Sequence, residues 1–338
     1  PVVGGEVFFS FFYDTLKKLK EIYPESTPFV IRWGLWHVMD PMSRMFSTLN
    51  DIYYNEDQKQ YIYGPIEDNY KKSIQFLNKL YNDKLLDPEF TSLSDEQWSE
   101  KLLNEKGFVT FDYKHETRLL PDTIQTAGVS QNKDNFKLVP IAPLINEGKQ
   151  TKYWGSEAIN LGWGMAINAK SKYVKELVKL MDWQLTDEYI TLASWGIEGV
   201  SYNVVDGKKA FVDNLKTAKN PDGTIELADV TNGYVGLFPM GDNSCDQIGG
   251  AYDLYFSDEI IKYGSFPTPW ELPFSRDDLE KKANFLTPAK TTTDEWTIRF
   301  IINDKSFDEW DDYVKKIKAL GVDDILKMYN DKLADINH

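Results

Sequence analysis

The stretch that most constrains this chain runs from Tyr63 to Phe90, YGPIEDNYKKSIQFLNKLYNDKLLDPEF. Apolar side chains recur at Tyr70, Ile74, Leu77, Leu80 or Tyr81, and Leu85, in steps of three and four. That spacing gathers them on one face of an amphipathic helix. Pro65 stands just ahead of the helix, and Asp87-Pro88 ends the segment after it, because a residue before proline is pushed out of the α region. Periodicity alone reads this as a surface helix of an α/β domain.

Composition narrows the class. A chain of 338 residues with 42% hydrophobic side chains can bury one large core or two smaller ones. A net charge of −15 argues against nucleic acid, whose phosphates would be repelled. No run approaches the roughly eighteen apolar residues that a membrane-spanning helix needs. Of 38 basic residues only Arg32, Arg44, Arg118, Arg276 and Arg299 are arginines. An anionic ligand is usually held by the guanidinium fork, so the balance favours a neutral one. The lone Cys245 forms no intrachain disulfide, and His37, His115 and His338 have no zinc-ligand spacing. No metal or cofactor is expected.

In chain order, residues 13–24 read as a helix with Leu16, Leu19 and Tyr23 inward, stopped by Pro24. Phe29–Trp33 reads as a strand, followed by a helix over Met39–Leu49. Tyr53–Tyr54 and Tyr61–Tyr63 flank Asn55–Lys59 as a small hairpin. Ser94 with Gln97 forms a capping box that starts a helix through Asn104, and Gly107–Tyr113 reads as a central strand. Further on, Gly162–Asn168 reads as a strand. Ser171 caps a helix whose buried face is Val174, Leu177, Val178 and Met181, and Thr186–Trp195 forms a helix ended by Gly196. Asp206-Gly207 is a turn. Asp294–Ile302 is helical, Ser306 and Glu309 make a second capping box, and Phe307, Trp310, Val314, Ile317 and Leu320 share a face. Gly321 breaks that helix, and 323–336 resume it.

The wording of these segments carries a resemblance. A strand ending in Tyr63-Gly64-Pro65, a helix, then Lys84-Leu85-Leu86-Asp87-Pro88-Glu89-Phe90 resembles the extracellular solute-binding proteins of bacterial ABC importers, in their large lipoprotein form for oligosaccharides. The run WGIEGVSY (195–202) and the C-terminal DEWTIRFIINDKSFDEWDDYVKKIKALGVDDILKMYND are similar to the same family. The chain departs from it at residues 1–12, where a polar segment is usual and Phe8, Phe9, Phe11 and Phe12 stand instead. Glu25-Ser26-Thr27 replaces the calcium loop of many relatives, so no calcium site carries over. The resemblance implies an α/β, periplasmic-binding-protein-like type II fold with two lobes and a hinge. Residues 13–160 would form most of the second lobe, 161–285 would return to the first lobe with an irregular insert, and 286–338 would pack helices back on the second. The first lobe is then incomplete, as in a chain truncated at its N-terminus.

Function follows as an expectation from the same resemblance: capture of a neutral oligosaccharide between lobes, and delivery to the permease subunits of an ABC importer. Such a protein is extracellular, monomeric and tied to the bacterial surface by a lipid anchor that this chain lacks. Sugar clefts set aromatic faces against pyranose C–H surfaces, with carboxylates and amides on the hydroxyls. Trp98, Trp183, Trp296 and Trp310 sit at core spacing in helices and read as packing. Trp33, Trp36, Trp154, Trp163 and Trp195 stand at strand ends or turns, where α/β folds place ligands, although packing is open for each. Asp112 and Tyr113 end a strand that in the family points into the cleft; Asp112 either accepts sugar hydroxyls or caps the next helix. Glu198 either touches ligand or satisfies loop amides.

Two other classes compete. A glycoside hydrolase would also combine tryptophans and acids, and needs two carboxylates about 5–5.5 or 6.5–9.5 Å apart. The sequence shows no nucleophile elbow, phosphate loop or HExxH, and the reading is of a non-enzyme. A structural or interaction protein is the third class, favoured only if no cleft forms.

Overall fold

Phe29 holds the centre of an extended segment whose two edges are both taken. Its N–H donates to the Leu85 carbonyl at 2.9 Å, and its carbonyl accepts the Asp87 N–H at 2.9 Å. On the other side the Val30 N–H donates to the Val109 carbonyl at 3.0 Å, while the N–H groups of Phe108 and Val109 share the Pro28 carbonyl. Phe29 thus bridges Leu86 and Val109, both in parallel. Of the expected Gly107–Tyr113 strand, Val109 makes a single parallel bridge to Phe29, the rest of 107–112 carries no ladder, and Tyr113 lies outside the described residues. Val30 and Ile31, next to Phe29, are fully buried.

These features come from a computed structural model, which describes residues 7–112, 136–139, 141, 144–146, 149–150, 166–212, 215 and 272–336. The chain divides into two compact units, Pro1–Ile159 with Glu259–His338, and Asn160–Asp258.

In the first unit, strand β1 (Val7–Phe8) leads into helix α1 (Phe9–Ile22). The phenylalanine-rich start therefore builds an element that the sequence did not reveal. Phe12 and Leu16 are buried, whereas Leu19 and Tyr23 are half-buried. Helix α2 (Leu35–Met45) starts four residues earlier than expected, directly after Trp33 and Gly34, both at positive φ. Strands β2 (Ile52–Asn55) and β3 (Gln60–Tyr63) form the expected antiparallel hairpin. A 3-10 turn at Gly64–Ile66 comes next, then helix α3 (Asp68–Asn82). Tyr70, Ile74, Leu77, Leu80 and Leu85 are buried, as the periodicity predicts. Burying each aliphatic side chain contributes about 1.5–3 kcal/mol relative to exposure. Helix α4 (Asp95–Leu103) carries the Ser94–Gln97 capping box. Strand β4 (Leu144–Asn146) pairs in parallel with β1 and antiparallel with β5 (Lys149–Gln150).

The second unit holds helix α5 (Val174–Trp183), helix α6 (Asp187–Trp195) and the hairpin of β6 (Tyr202–Val205) with β7 (Lys208–Phe211). Asp206 and Gly207, both at positive φ, make the tight two-residue turn that suits the twist of a hairpin. The expected buried face of α5 is not buried: Val174 is 40% and Val178 43% exposed, with Leu177 and Met181 half-buried. Amphipathic spacing names the face but not what covers it. Of the expected Gly162–Asn168 strand, residues 166–168 carry no ladder and 162–165 lie outside the described residues.

Back in the first unit, helix α7 (Arg276–Ile301) is far longer than the expected Asp294–Ile302, and starts at a Ser275–Asp278 capping box. Its face of Phe285, Ala289, Trp296 and Phe300 joins the core that α3 supplies. The Asn78 amide on α3 donates to the Phe300 and Ile301 carbonyls at 3.0 and 2.9 Å, satisfying the end of α7. The Ser306–Glu309 capping box lies in a 3-10 turn (Phe307–Glu309) before helix α8 (Trp310–Ala319), and Gly321, at φ +100, separates it from helix α9 (Val322–Ile336). Trp310 and Ile317 are buried, while Tyr313, 1% exposed, belongs to the same face and escaped the sequence reading. Asn330 on α9 acts as a strand edge: its amide accepts the Tyr61 N–H at 2.7 Å and donates to the Tyr61 carbonyl at 3.0 Å.

Gly64 shows how tightly the turn after the hairpin meets the connection between α2 and β2. A Cβ there would lie 1.8 Å from the Leu49 carbonyl oxygen, a backbone atom that has no room to move. Gly64→Ala should therefore lose roughly 3 kcal/mol of stability by urea denaturation, at the upper end of overpacking costs. An unchanged midpoint would contradict this close approach.

Candidate functional site

The carboxyl ends of the parallel segments in the first unit gather a set of aromatic and charged side chains. Arg32 ends the central run and is 5% exposed. A buried guanidinium is costly unless every face finds a partner. Its Nε donates to Asp112 Oδ2 at 2.8 Å and its Nη2 to Asp112 Oδ1 at 3.0 Å, a bidentate pair with an Asp112 side chain only 4% exposed. Nη1 lies 3.6 Å from Asp95 Oδ1. The guanidinium carbon sits 4.0 Å from the ring centres of both Trp33 and Trp98. Trp98 is anchored below, its indole N–H donating to Thr110 Oγ1 at 2.9 Å.

Above this base lies an aromatic shelf. Trp33, at φ +65, turns the chain out of the segment and donates its indole N–H to Asp95 Oδ1 at 2.7 Å. His37 sits on the first turn of α2, with the ring centres of Trp33 at 5.0 Å and Trp36 at 4.9 Å. Phe111 meets the His37 ring edge at 5.5 Å. Trp36 is 41% exposed and Trp33 half-buried, so the shelf presents indole surface to solvent.

His37 is 1% exposed and uncharged near neutrality. Burial holds its imidazole below the ordinary range; the hydrogen bond to the Arg32 carbonyl and the nearby Asp112 and Asp40 carboxylates pull upward, and the Arg32 charge pulls down. In the neutral ring Nδ1 carries the proton, donating to the Arg32 carbonyl at 3.1 Å.

Of the sequence-predicted residues, Trp33, Trp36 and Asp112 are brought together here through Arg32 and His37. Asp112 spends both oxygens on Arg32, a role that its place at a strand end does not announce. Trp195 and Glu198 lie in the second unit. Trp195 is 4% exposed and stacks on Phe211 at 4.6 Å, so its burial fits the packing alternative. Glu198 is exposed in the turn that Gly199 closes onto the Tyr202 carbonyl at 2.7 Å. Tyr113, Trp154 and Trp163 lie outside the described residues. Sequence reasoning misses Arg32, Asp95, His37 and Phe111 as site residues, and reads Trp98 as packing alone. One signal is available: an arginine inside the apolar run FVIRW must bring its counter-charge into the fold.

Chemically, the shelf offers flat apolar faces rimmed by engaged polar groups. Asp112 gives both oxygens to Arg32, whereas Asp95, its side chain 55% exposed, gives Oδ1 to the Trp33 indole. Among the described residues no group of three or more His, Cys, Asp or Glu side chains is placed to hold a metal, and no helix is long and apolar enough to cross a membrane.

Comparison with known proteins gives the fold its context. No protein-family model matches the chain, and no curated protein matches it. Solved structures do. The alginate-binding protein AlgQ2 without calcium ion superposes with a TM-score of 0.73 at 19% identity, covering 97% of this chain and 68% of AlgQ2. An HMO-binding, ABC-transporter-associated solute-binding protein from Bifidobacterium longum infantis gives 0.68 at 18% identity, covering 97% and 70%. The S. pneumoniae ABC-transporter substrate-binding protein FusA, an EF-hand mutant in complex with fructo-nystose, gives 0.66 at 15%, covering 98% and 69%. The chain has the α/β, periplasmic-binding-protein-like fold of such solute-binding proteins.

Because the unfolded imidazole titrates near pH 6.5 and the folded one lower, the unfolded chain binds the extra proton first. Stability from a neutral His37 is therefore full above about pH 6.5 and lost as the pH falls toward the folded value. Between about pH 7.5 and about pH 5.5, the wild type should lose more Tm than His37→Gln. Equal losses would show that His37 titrates alike in both states.

Proposed function

We propose that this chain is the substrate-binding component of a bacterial ABC importer, capturing a neutral oligosaccharide and presenting it to membrane permease subunits. The observation that carries the reading is the Trp33–His37–Trp36 shelf at the carboxyl ends of parallel segments, on a fold whose solved neighbours are described as binding HMO, fructo-nystose and the acidic polymer alginate; these neighbours support a carbohydrate, and the neutral charge class is read from this chain alone. Pyranose rings carry C–H faces that pack on indoles, and α/β folds place ligands at this end of their segments. The reading includes no reaction on the ligand; the buried carboxylate at the shelf, Asp112, is held through both oxygens by the Arg32 guanidinium.

In this reading the first unit is the second lobe of a two-lobed binding protein and Asn160–Asp258 contributes to the first. The partition of the chain into two compact units supports it. Closure on ligand follows from a higher affinity of the closed form, and a shift from mostly open to mostly closed needs about 5.5 kcal/mol of difference. The protein works outside the cell as a monomer, held to the membrane by a lipid anchor.

Thermal shift and product analysis with a panel of oligosaccharides test this together. A binding sugar raises Tm without releasing reducing ends, and Trp36→Ala weakens its affinity by roughly tenfold, about 1.4 kcal/mol, with little change in the Tm of the free protein. New reducing ends would overturn transport in favour of a glycoside hydrolase. Unchanged affinity in Trp36→Ala would remove the shelf from the binding site.

A further inference from the structure

Arg32 is the residue on which the shelf depends, and every part of it is engaged. Nε and Nη2 hold Asp112, Nη1 faces Asp95, and both faces of the guanidinium lie against indoles. The backbone carbonyl at this position, which any residue would supply, fixes the His37 tautomer, and the His37 ring lies 5.0 Å from Trp33 and 4.9 Å from Trp36. We infer that Arg32 is a positioning residue that sets the aromatic shelf for ligand, not a cation that binds it, and that the shelf accepts uncharged saccharides and rejects acidic ones.

The grounds are geometric and electrostatic. A guanidinium that recognises a carboxylate ligand must offer its fork outward, and here the fork already closes on Asp112 inside the protein. Arg32, Asp112 and Asp95 together carry one net negative charge beside the shelf. A uronate laid on Trp33 and Trp36 would meet that charge with no unsatisfied cation from this group. A neutral sugar has no charge to be repelled and can lay its C–H faces on the indoles. Lysine cannot replace arginine here, because an ammonium has neither the planar fork nor the stacking face. This inference rests on the carbohydrate-binding reading, but the shelf's dependence on Arg32 can be measured without any sugar.

The experiment uses the ligand-free chain first. Arg32→Lys, and a double variant of Arg32→Met with Asp112→Asn that leaves no orphan charge, are checked for folding by far-ultraviolet circular dichroism and Tm. The near-ultraviolet tryptophan bands should change in whichever variant folds, because Trp33 and Trp98 lose their shared clamp. Bands identical to wild type in a folded variant would overturn the positioning role. The second arm compares maltotriose-type neutral oligosaccharides with oligogalacturonates of equal length, by calorimetry in low and high salt. The wild type should prefer the neutral series, with affinity nearly flat in salt, and the folded variant should bind it roughly tenfold more weakly. Tighter binding of oligogalacturonate that falls with salt, and is lost in Arg32→Lys, would show direct contact and overturn the inference. If no saccharide of either series binds, the functional reading and the stated ligand class fail, while the near-ultraviolet bands still decide whether Arg32 sets the shelf.

Discussion

The segment around Phe29 carries the rest of the first unit because its backbone is hydrogen-bonded on both sides. Leu85 and Asp87 take one side, and Val109 with Phe108 takes the other. Unpaired backbone groups at this depth would each cost on the order of a lost hydrogen bond, so the three segments stand or fall together. Gly107 shows how close they lie: a Cβ there would come within 2.6 Å of the buried Val30 side chain. Everything that gives the site its shape starts where this segment ends. Arg32 is its last buried residue, and the positive φ of Trp33 and Gly34 turns the chain directly into α2.

The legible part of the fold is the periodic part. The apolar stripe of α3 and the capping boxes at Ser94 and Ser306 rest on local spacing, and the structure shows each of them. The hidden part depends on partners far along the chain. Helix α7 contains Pro288 and the run Thr291–Thr293, poor helix material, yet Phe285, Ala289 and Phe300 hold it against the core. Strand β1 is two residues long and exists through its pairing with β4, more than a hundred residues away. For α5 the reverse applies: the spacing is right, and no described surface covers Val174 or Val178.

At the site, aromatic residues are legible as types and not as roles. Tryptophans at strand ends invite a ligand reading, and Trp33 with Trp36 does form a shelf, whereas Trp195 is stacked away against Phe211. Only the surroundings separate these cases. For Asp112 the sequence leaves open a hydroxyl acceptor or a helix cap, and the geometry adds a role as counter-ion of Arg32. Charge inside an apolar run is therefore a better guide than aromatic content alone. It forces the fold to supply a partner, and that partner fixes the neighbourhood.

The Asn330 amide that completes the edge of Tyr61 spans 269 positions of sequence. Asn78 reaches across 222 to close the end of α7. The first unit is thus a discontinuous body whose early strands and helices wait for the last helices to be made. During synthesis the β2–β3 hairpin emerges long before its partner helix, and its edge stays open for most of translation. Such long-range closure slows folding and keeps the nascent chain in a loosely structured state.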